Sequence, residues 1–376
     1  MTALEVVFWV SAALLLYTQI GYPLLLAALA RVRGRVPFAW PPESPLPSVS
    51  VIVPAYAEEL VIAERVANLR GMDFPCERLE IIVASDGSPD GTAQRAREAG
   101  ADLVLELRRG GKVRAQDAAV ARARGEIVAF TDANASWQPD ALGELLAPFA
   151  DERVGYVCGR VELIGEDGTN QEGLYWRYEL AMRDWESRLR SVTGGNGAIY
   201  ATRRDCYLVV DPIMGHDLSF PFNIVKRGRL AVYNPAAISR ERMVPTIEGE
   251  FARKRRMMSH TWPIVLRGGM LSPRGYGPTY ALMILSHRIL RYLTPFLHVI
   301  ALIANVILLG EGWVYAVTLA LQLGVLAAAA LATVAPFRPM LVARYYVLTT
   351  ASLAAGLWDW LVHGTSAGWE PAEGTR

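Results

Sequence analysis

Cysteine is nearly absent from this chain, and the shortage removes two kinds of architecture at once. Cys76, Cys158 and Cys206 are the only three among 376 residues. They are odd in number and lack metal-ligand spacing, so they build no disulfide framework and fit a reducing compartment. An excess of charge of one sign is also lacking. Thirty-eight basic residues against 37 acidic ones leave a net charge of +1, so bulk charge does not point to nucleic acid. No internal repeat or low-complexity stretch stands out. No G-x-G-x-x-G follows the first predicted strand, which argues against a dinucleotide oxidoreductase. Gly110-Gly-Lys112 lacks the spacing and final Ser/Thr of a P-loop.

What the chain does have is apolar ends around a mixed middle. Leu4 to Ala30 is a nearly uncharged run, interrupted only by Glu5, and is long enough to cross a bilayer. No basic stretch precedes it and it is too long for a signal-peptide core. Arg31, Arg33 and Arg35 follow, which by the positive-inside rule puts the next segment in the cytoplasm. Tyr292 to Leu309 and Trp313 to Val334 are further candidate spans. They are flanked by Arg288 and Arg291 on one side and by Arg338 and Arg344 on the other, the pattern of one hairpin through the bilayer. Tyr345 to Val362 holds Asp359 and either spans or lies in the interface.

Between these ends, Ser48 to Val53, Leu79 to Ala84, Asp102 to Leu105 and Glu126 to Phe130 read as buried strands. Glu58 to Arg70, Gly91 to Ala99 and Lys112 to Ala123 read as helices between them. Alternation of this kind predicts an α/β fold with a mostly parallel sheet covered on both faces. Ligands of such sheets sit beyond the carboxyl ends of the strands, and polar residues cluster at those ends here.

The turn after the first strand is expected to expose Ala55, Tyr56 and Glu58, with Tyr56 against a base. Asp86 ends the second strand and can accept from a base or ribose; Asp-Gly is also a common turn. Gly110 and Gly111 let backbone approach a phosphate, and Lys112 adds a cation beside a helix start. Asp132 and Asn134, two apart beyond a strand, point to one side and can hold a hard divalent ion on a diphosphate; the alternative is an Asx turn. Asp217 follows Gly215-His216 and is either a general base or a helix cap. Arg253 and Arg256 share a helix face at i, i+3. They can clamp a diphosphate or touch anionic lipid.

The stretches VIVPAYAEE, ASDGS, GGKVRAQDAAVARARGEIVAFTDANASWQPDAL, GGNGAIYATRR, GHDLSFPF, RKRRM and LSHRILRYLTPF together resemble the membrane-bound family 2 glycosyltransferases, the group of the cellulose, chitin and hyaluronan synthases. The resemblance runs from Val51 to Phe296. It implies a GT-A fold with flanking transmembrane helices and an inverting single displacement. It implies Mg²⁺ or Mn²⁺ as cofactor and a nucleotide-diphosphate sugar as donor, most often a UDP-sugar. On the matching positions, Asp86 would bind the nucleoside and Asp132 would open the D-x-D metal motif. Asp217 would be the base, and Arg253 and Arg256 would belong to the Q/R-x-x-R-W motif. Ala55, Tyr56, Glu58 and Lys112 would complete the donor site. Gly195, Asn196, His216 and Trp262 would face the acceptor. Trp369 and Arg376 are loosely similar to a gating element of such enzymes. Two positions depart from the pattern. Asn134 replaces the second Asp of D-x-D, which can lower metal affinity. Met257 replaces the Trp of the last motif, which argues against polymerisation.

The expected organisation is a transmembrane helix at 1–31, a linker at 32–46, a cytoplasmic GT-A domain at 47–262 and an interfacial segment at 263–291. A transmembrane hairpin at 292–335 and a third helix with tail at 336–376 complete it. The expected protein is a multi-pass transferase of the cell (inner) membrane. It moves a hexose or N-acetylhexosamine to a polysaccharide or glycan acceptor, or to a lipid. An inactive nucleotide-sugar-binding subunit is the alternative outside catalysis, and the presence of Asp217 argues against it.

Overall fold

A computed structural model describes residues 1–34, 46–164, 173–242 and 246–368. Most of the expected linker and both Trp369 and Arg376 lie outside the described residues. The chain divides into two compact units. The described residues of one fall within Leu26–Val244, Pro263–Ala281 and Thr365–Arg376, and those of the other within Met1–Leu25, Pro245–Trp262 and Leu282–Gly364.

The first unit is built on one sheet of eight strands among the described residues. They are β1 (Val49–Ala55), β2 (Leu79–Asp86), β3 (Leu103–Leu107), β4 (Ile127–Phe130), β5 (Ser136–Trp137), β6 (Val154–Ile164), β7 (Tyr200–Arg203) and β8 (Leu230–Arg242). Their order is β3-β2-β1-β4-β7-β6-β8-β5. The four strands legible in the sequence form the parallel half, with β1 between β2 and β4. Every residue of β1, β2 and β4 is buried, which is why these segments are unbroken Val/Ile-rich runs without polar alternation. The other half is mixed. β7 is antiparallel to β4 and to β6, β8 is parallel to β6, and β5 is antiparallel to β8. The sheet is therefore less uniformly parallel than the sequence suggests. Val51, Val53, Ile81, Val83 and Ala129 share one face with the helix residues Ile62, Val66 and Leu69 in a single core.

Helix Leu174–Leu189 packs on the second half of the sheet. Ser187 Oγ accepts the Tyr233 N–H at 2.8 Å, and Trp176 donates to the Val161 carbonyl at 2.9 Å.

The second unit is helical. Among the described residues of the chain, three helices are long and apolar enough to cross a membrane: Ala3–Val32, which runs on into the first unit, Trp313–Leu331 and Arg338–His363. The run at Tyr292 to Leu309 forms a shorter helix than expected, Thr294–Ile307, of 14 residues. At 1.5 Å per residue it is about 21 Å long, short of a hydrocarbon core of about 30 Å. It reaches spanning length only with Pro278–Tyr292, from which it is bent by 61°. Pro295 in its first turn explains the break, because a proline ring excludes the preceding turn from continuing. Asp359, the one charge in the last apolar run, has a clear reason to be there. It receives Arg255 through two contacts of 2.6 Å. Trp262 Nε1 donates to the Leu353 carbonyl at 2.8 Å, fastening the same pair of helices.

Candidate active site

Asp86 closes β2 and is 1% exposed. Its carboxylate accepts the backbone N–H groups of Gly110 and Gly111 at 2.7 and 2.9 Å, with Arg109 Nη1 at 3.5 Å. The Arg109 guanidinium lies 3.1 Å from the centroid of the Tyr56 ring. Asp86 thus ties the glycine loop to the end of β2, and Tyr56 meets Arg109. Ala55 and Glu58 differ from expectation in being buried, at 0% and 3%. Ala55 is still the last residue of β1. Glu58 turns the chain into the next helix, its carbonyl accepting the Ile62 N–H at 2.9 Å while Thr92 Oγ1 accepts its own N–H at 2.9 Å. Gly111 stands at φ +95°, and a Cβ there would lie 2.0 Å from the carbonyl oxygen of Ala367. The segment after the last helix therefore rests on the glycine loop.

Lys112 is the next residue and opens helix Lys112–Val120. Its ammonium contacts Asp132 Oδ1. Burial pulls Lys112 down, but Asp132, reinforced by Asp217 and Glu241, outweighs that and holds it above the ordinary lysine range. Asp132 lies on a turn just beyond β4, closed by the Ala135 N–H on its own carbonyl at 3.2 Å. Asp132 and Asn134 are half-buried, while Ala133 and Ala135 between and after them enter the core. The burial alternation is that of side chains 132 and 134 on one side, and the turn is closed here through backbone groups. An ideal Cβ on Gly197 would lie 3.4 Å from Lys112 Nζ and 3.7 Å from Asp132 Oδ2.

Asp217 stands in the first turn of helix His216–Lys226, whose N-cap is Gly215. The backbone makes that placement: the Gly195 N–H donates to the Asp217 carbonyl at 2.6 Å. Only glycine fits at 195, because a Cβ would lie 2.0 Å from the Tyr156 hydroxyl. The Asp217 side chain is half-buried and caps nothing; among the described residues no hydrogen bond or ion pair holds it. A half-buried carboxylate with no hydrogen-bond donor on it among the described residues is free to accept a proton from a ligand.

His216 and Asn196 are placed under this surface. The Asn196 amide donates to the Gly159 carbonyl at 2.7 Å and accepts from Ile199 at 2.9 Å, which fixes the loop before β7. His216 is 3% exposed, stacked on Phe220 with centroids 4.2 Å apart. Gln116 donates to the Tyr200 oxygen at 3.0 Å, and the Tyr200 hydroxyl shares a hydrogen bond with His216 Nδ1 at 2.9 Å. Burial, then the charge of Lys112, pushes His216 down to about 3, so the ring is neutral.

Comparison with known proteins places the sheet and the region around it. The sequence profile of glycosyl transferase family 2 matches residues 50–205. That stretch is a family 2 glycosyltransferase domain. The chain is 31% identical over 211 residues to a beta-monoglucosyldiacylglycerol synthase of Trichormus variabilis, covering 52% of this chain and 43% of the synthase. It is 33% identical over 130 residues to the poly(ribitol-phosphate) beta-N-acetylglucosaminyltransferase TarS of Staphylococcus aureus, covering 33% and 22%. The chain thus spans less than half the length of these curated relatives. Among solved structures, the mannosyltransferase PcManGT of Pyrobaculum calidifontis, in complex with GDP-Man and Mn²⁺, superposes with a TM-score of 0.73 at 24% identity, covering 95% of this chain and 99% of that one. The family 2 domain has the GT-A fold.

Asp86, Lys112 and Asp132 are joined through the glycine loop and the Lys112–Asp132 pair, and Asp217 acts electrostatically on Lys112. Arg253, Arg256 and Trp262 belong to the helical unit. There Arg253 pairs with Glu250 at 2.7 and 2.8 Å, and Trp262 is 4% exposed. Two residues that sequence reading passed over matter. Arg109 stands directly before the glycine pair, and its place there was the available signal. Arg65 is 2% exposed on helix Ile62–Arg70, 4.9 Å from the Trp137 ring. Burial lowers it to about 9 against the partial support of Asp132; it remains a cation at neutral pH. Nothing in its local sequence distinguishes it from a surface arginine.

A divalent ion fits this patch in one particular way. Among the described residues there is no group of three or more His, Cys, Asp or Glu side chains able to hold a metal. Asp132, with the amide oxygen of Asn134 beside it, suits an ion that draws its remaining ligands from water and a diphosphate, as Mg²⁺ does.

Proposed function

We propose that the protein is an inverting glycosyltransferase that moves a hexose or N-acetylhexosamine from a nucleotide-diphosphate sugar to an acceptor presented at a membrane. The observation that carries this reading is Asp217: a carboxylate with no hydrogen bond or ion pair among the described residues, acting electrostatically on Lys112 just beyond the matched family 2 stretch. Asp217 takes the proton of the acceptor hydroxyl as that oxygen attacks the anomeric carbon. The nucleoside diphosphate leaves from the opposite face, near Lys112. Asp132 and Asn134 would hold Mg²⁺ or Mn²⁺, which supplies neutralising charge to the departing diphosphate. Asp86 and the glycine loop form the floor under the nucleoside, with UDP-sugars the expected donors.

A lipid acceptor is the reading favoured over a polysaccharide. Among the described residues three helices have the length and composition to span a bilayer. A relative 31% identical over the catalytic region is a glycolipid synthase. Met257 in place of tryptophan also argues against polymerisation. The test is to incubate membranes holding the protein with a panel of radiolabelled UDP- and GDP-sugars and to partition the product. Label in solvent-extractable lipid supports the lipid reading; label in insoluble polymer refutes it. Asp217→Asn should lower turnover about 10²–10⁴-fold, the usual share of a general base, while nucleotide still binds. Wild-type turnover in that variant refutes the assignment of the base. Chelation should abolish transfer and added Mn²⁺ or Mg²⁺ restore it; full activity in chelator removes the metal from the reading.

A further inference from the structure

Asp132 faces two cations, Lys112 and Arg65, while Asp217 and Glu241 also act on Lys112 from farther off. Lys112 contacts it directly. Arg65, buried at 2% exposure, stands within its electrostatic reach. Arg65 has one hydrogen bond, from Nη1 to Asn68, while its Nε and Nη2 find no partner among the described residues. Its charge is therefore not neutralised by a carboxylate of its own. Asn134, where a second carboxylate would have balanced the pair, is neutral. A divalent ion approaching Asp132 without the donor must displace an ammonium already seated on that carboxylate, with the Arg65 charge also within reach of it. Like charges a few ångströms apart in a partly buried site repel one another. A diphosphate changes this balance. It brings two or more negative charges, gives the ammonium a new acceptor and leaves Asp132 to the ion.

We propose that Lys112 is a resident cation that occupies the metal position on Asp132 while the donor is absent, so that the divalent ion binds only together with the donor's diphosphate. The inference rests on the metal reading given above and adds an order to it: no ion without nucleotide, and transfer of the ammonium from carboxylate to phosphate when both arrive. Lys112 stands at the start of its helix, beside a glycine pair and facing the open side of Gly197. The ammonium can therefore change partner by side-chain rotation without moving a strand.

Mn²⁺ binding to the full-length protein in detergent, followed by the loss of the free-ion paramagnetic resonance signal, tests this without turnover. Titrations are run with no nucleotide, with UDP and with GDP, on the wild type, Lys112→Met and Lys112→Arg. Each variant is first checked for wild-type thermal unfolding. Without nucleotide, Lys112→Met should bind Mn²⁺ at least about tenfold more tightly than the wild type, the least that removing an adjacent like charge implies. Lys112→Arg, which keeps the cation, should stay near the wild type. With a nucleoside diphosphate the wild type should bind the ion and the advantage of Lys112→Met should disappear. If Mn²⁺ binds the wild type with nucleotide but Lys112→Met gains nothing without it, the resident-cation inference falls and the metal reading stands. If no protein binds Mn²⁺ with either nucleotide, the metal reading falls and takes the inference with it.

Discussion

Replacing Asp86 by asparagine separates two jobs that one carboxylate can hold. The side chain is 1% exposed and receives two backbone N–H groups, from Gly110 at 2.7 Å and Gly111 at 2.9 Å, with Arg109 at 3.5 Å. An asparagine keeps the shape but offers a single oxygen; its NH₂ then faces one of the two N–H donors. Hydrogen bonds to a charged group contribute about 1.5–3 kcal/mol each, and a buried donor left unpaired costs about 1–3 kcal/mol. One bond weakened and one donor orphaned therefore amount to about 2–4 kcal/mol. In a domain of this size each kcal/mol moves the unfolding midpoint by about 2–4 °C, so a fall of about 5–15 °C is expected. The measurement is intrinsic-fluorescence unfolding in detergent at a fixed scan rate, with and without UDP. If Asp86 ties the glycine loop to β2, Asp86→Asn should unfold early even without nucleotide. An unchanged midpoint combined with lost UDP binding would mean that the carboxylate serves only the ligand, and the loop argument would be wrong.

Two more outcomes follow from the same patch. Gly111→Ala should destabilise the domain by more than about 1 kcal/mol, since alanine is strained at positive φ, and should release the segment at Ala367, whose oxygen lies 2.0 Å from the new Cβ. Hydrogen exchange at residues 365–368 should rise in the variant, and unchanged protection there would refute the contact. His216 makes stability depend on pH. Its folded value, about 3, lies below the unfolded value of about 6.5, so the unfolded chain binds the extra proton between those limits. Stability from the neutral ring is complete above about pH 6.5 and is lost as pH falls toward 3, by about 2 kcal/mol at pH 5. His216→Gln should flatten the midpoint-against-pH curve in that window; an identical slope in both proteins would show that His216 does not titrate as its burial demands.

The parallel half of the domain was readable because its physics is local. β1, β2 and β4 are buried on both faces, so each is an unbroken apolar run, and the helices between them carry their own period. The other half was not. β8 begins as a buried run at Leu230 but ends in Ser-Arg-Glu-Arg, half-exposed against β6. β7 is four residues long and antiparallel between two strands distant in sequence. Such segments are stabilised by partners that no window of the sequence contains. The carboxylates were legible for a related reason: Asp86 and Asp132 stand where strands stop, and a polar residue ending an apolar run announces itself. Their partners were not, because pairing is a property of assembled loops. Lys112 reads as a phosphate ligand from its glycines alone. Only the position of β4 beside β1 brings Asp132, 20 positions further along the chain, onto it.

That distinction bears on the acceptor side. Gly195, Asn196 and His216 were assigned to the acceptor from a motif, yet the structure gives each a physical task inside the domain. Gly195 makes room for the Tyr156 hydroxyl and donates to the Asp217 carbonyl; Asn196 fixes the loop; His216 ends a buried Gln116–Tyr200 chain. Each contact sets where Asp217 stands. A base must sit within hydrogen-bond reach of the proton it removes, so residues that never touch the acceptor can still govern transfer by fixing the backbone that carries the carboxylate. Variation in such residues should therefore affect turnover more than acceptor affinity. A substitution of Asn196 that raised KM alone would return it to the acceptor surface.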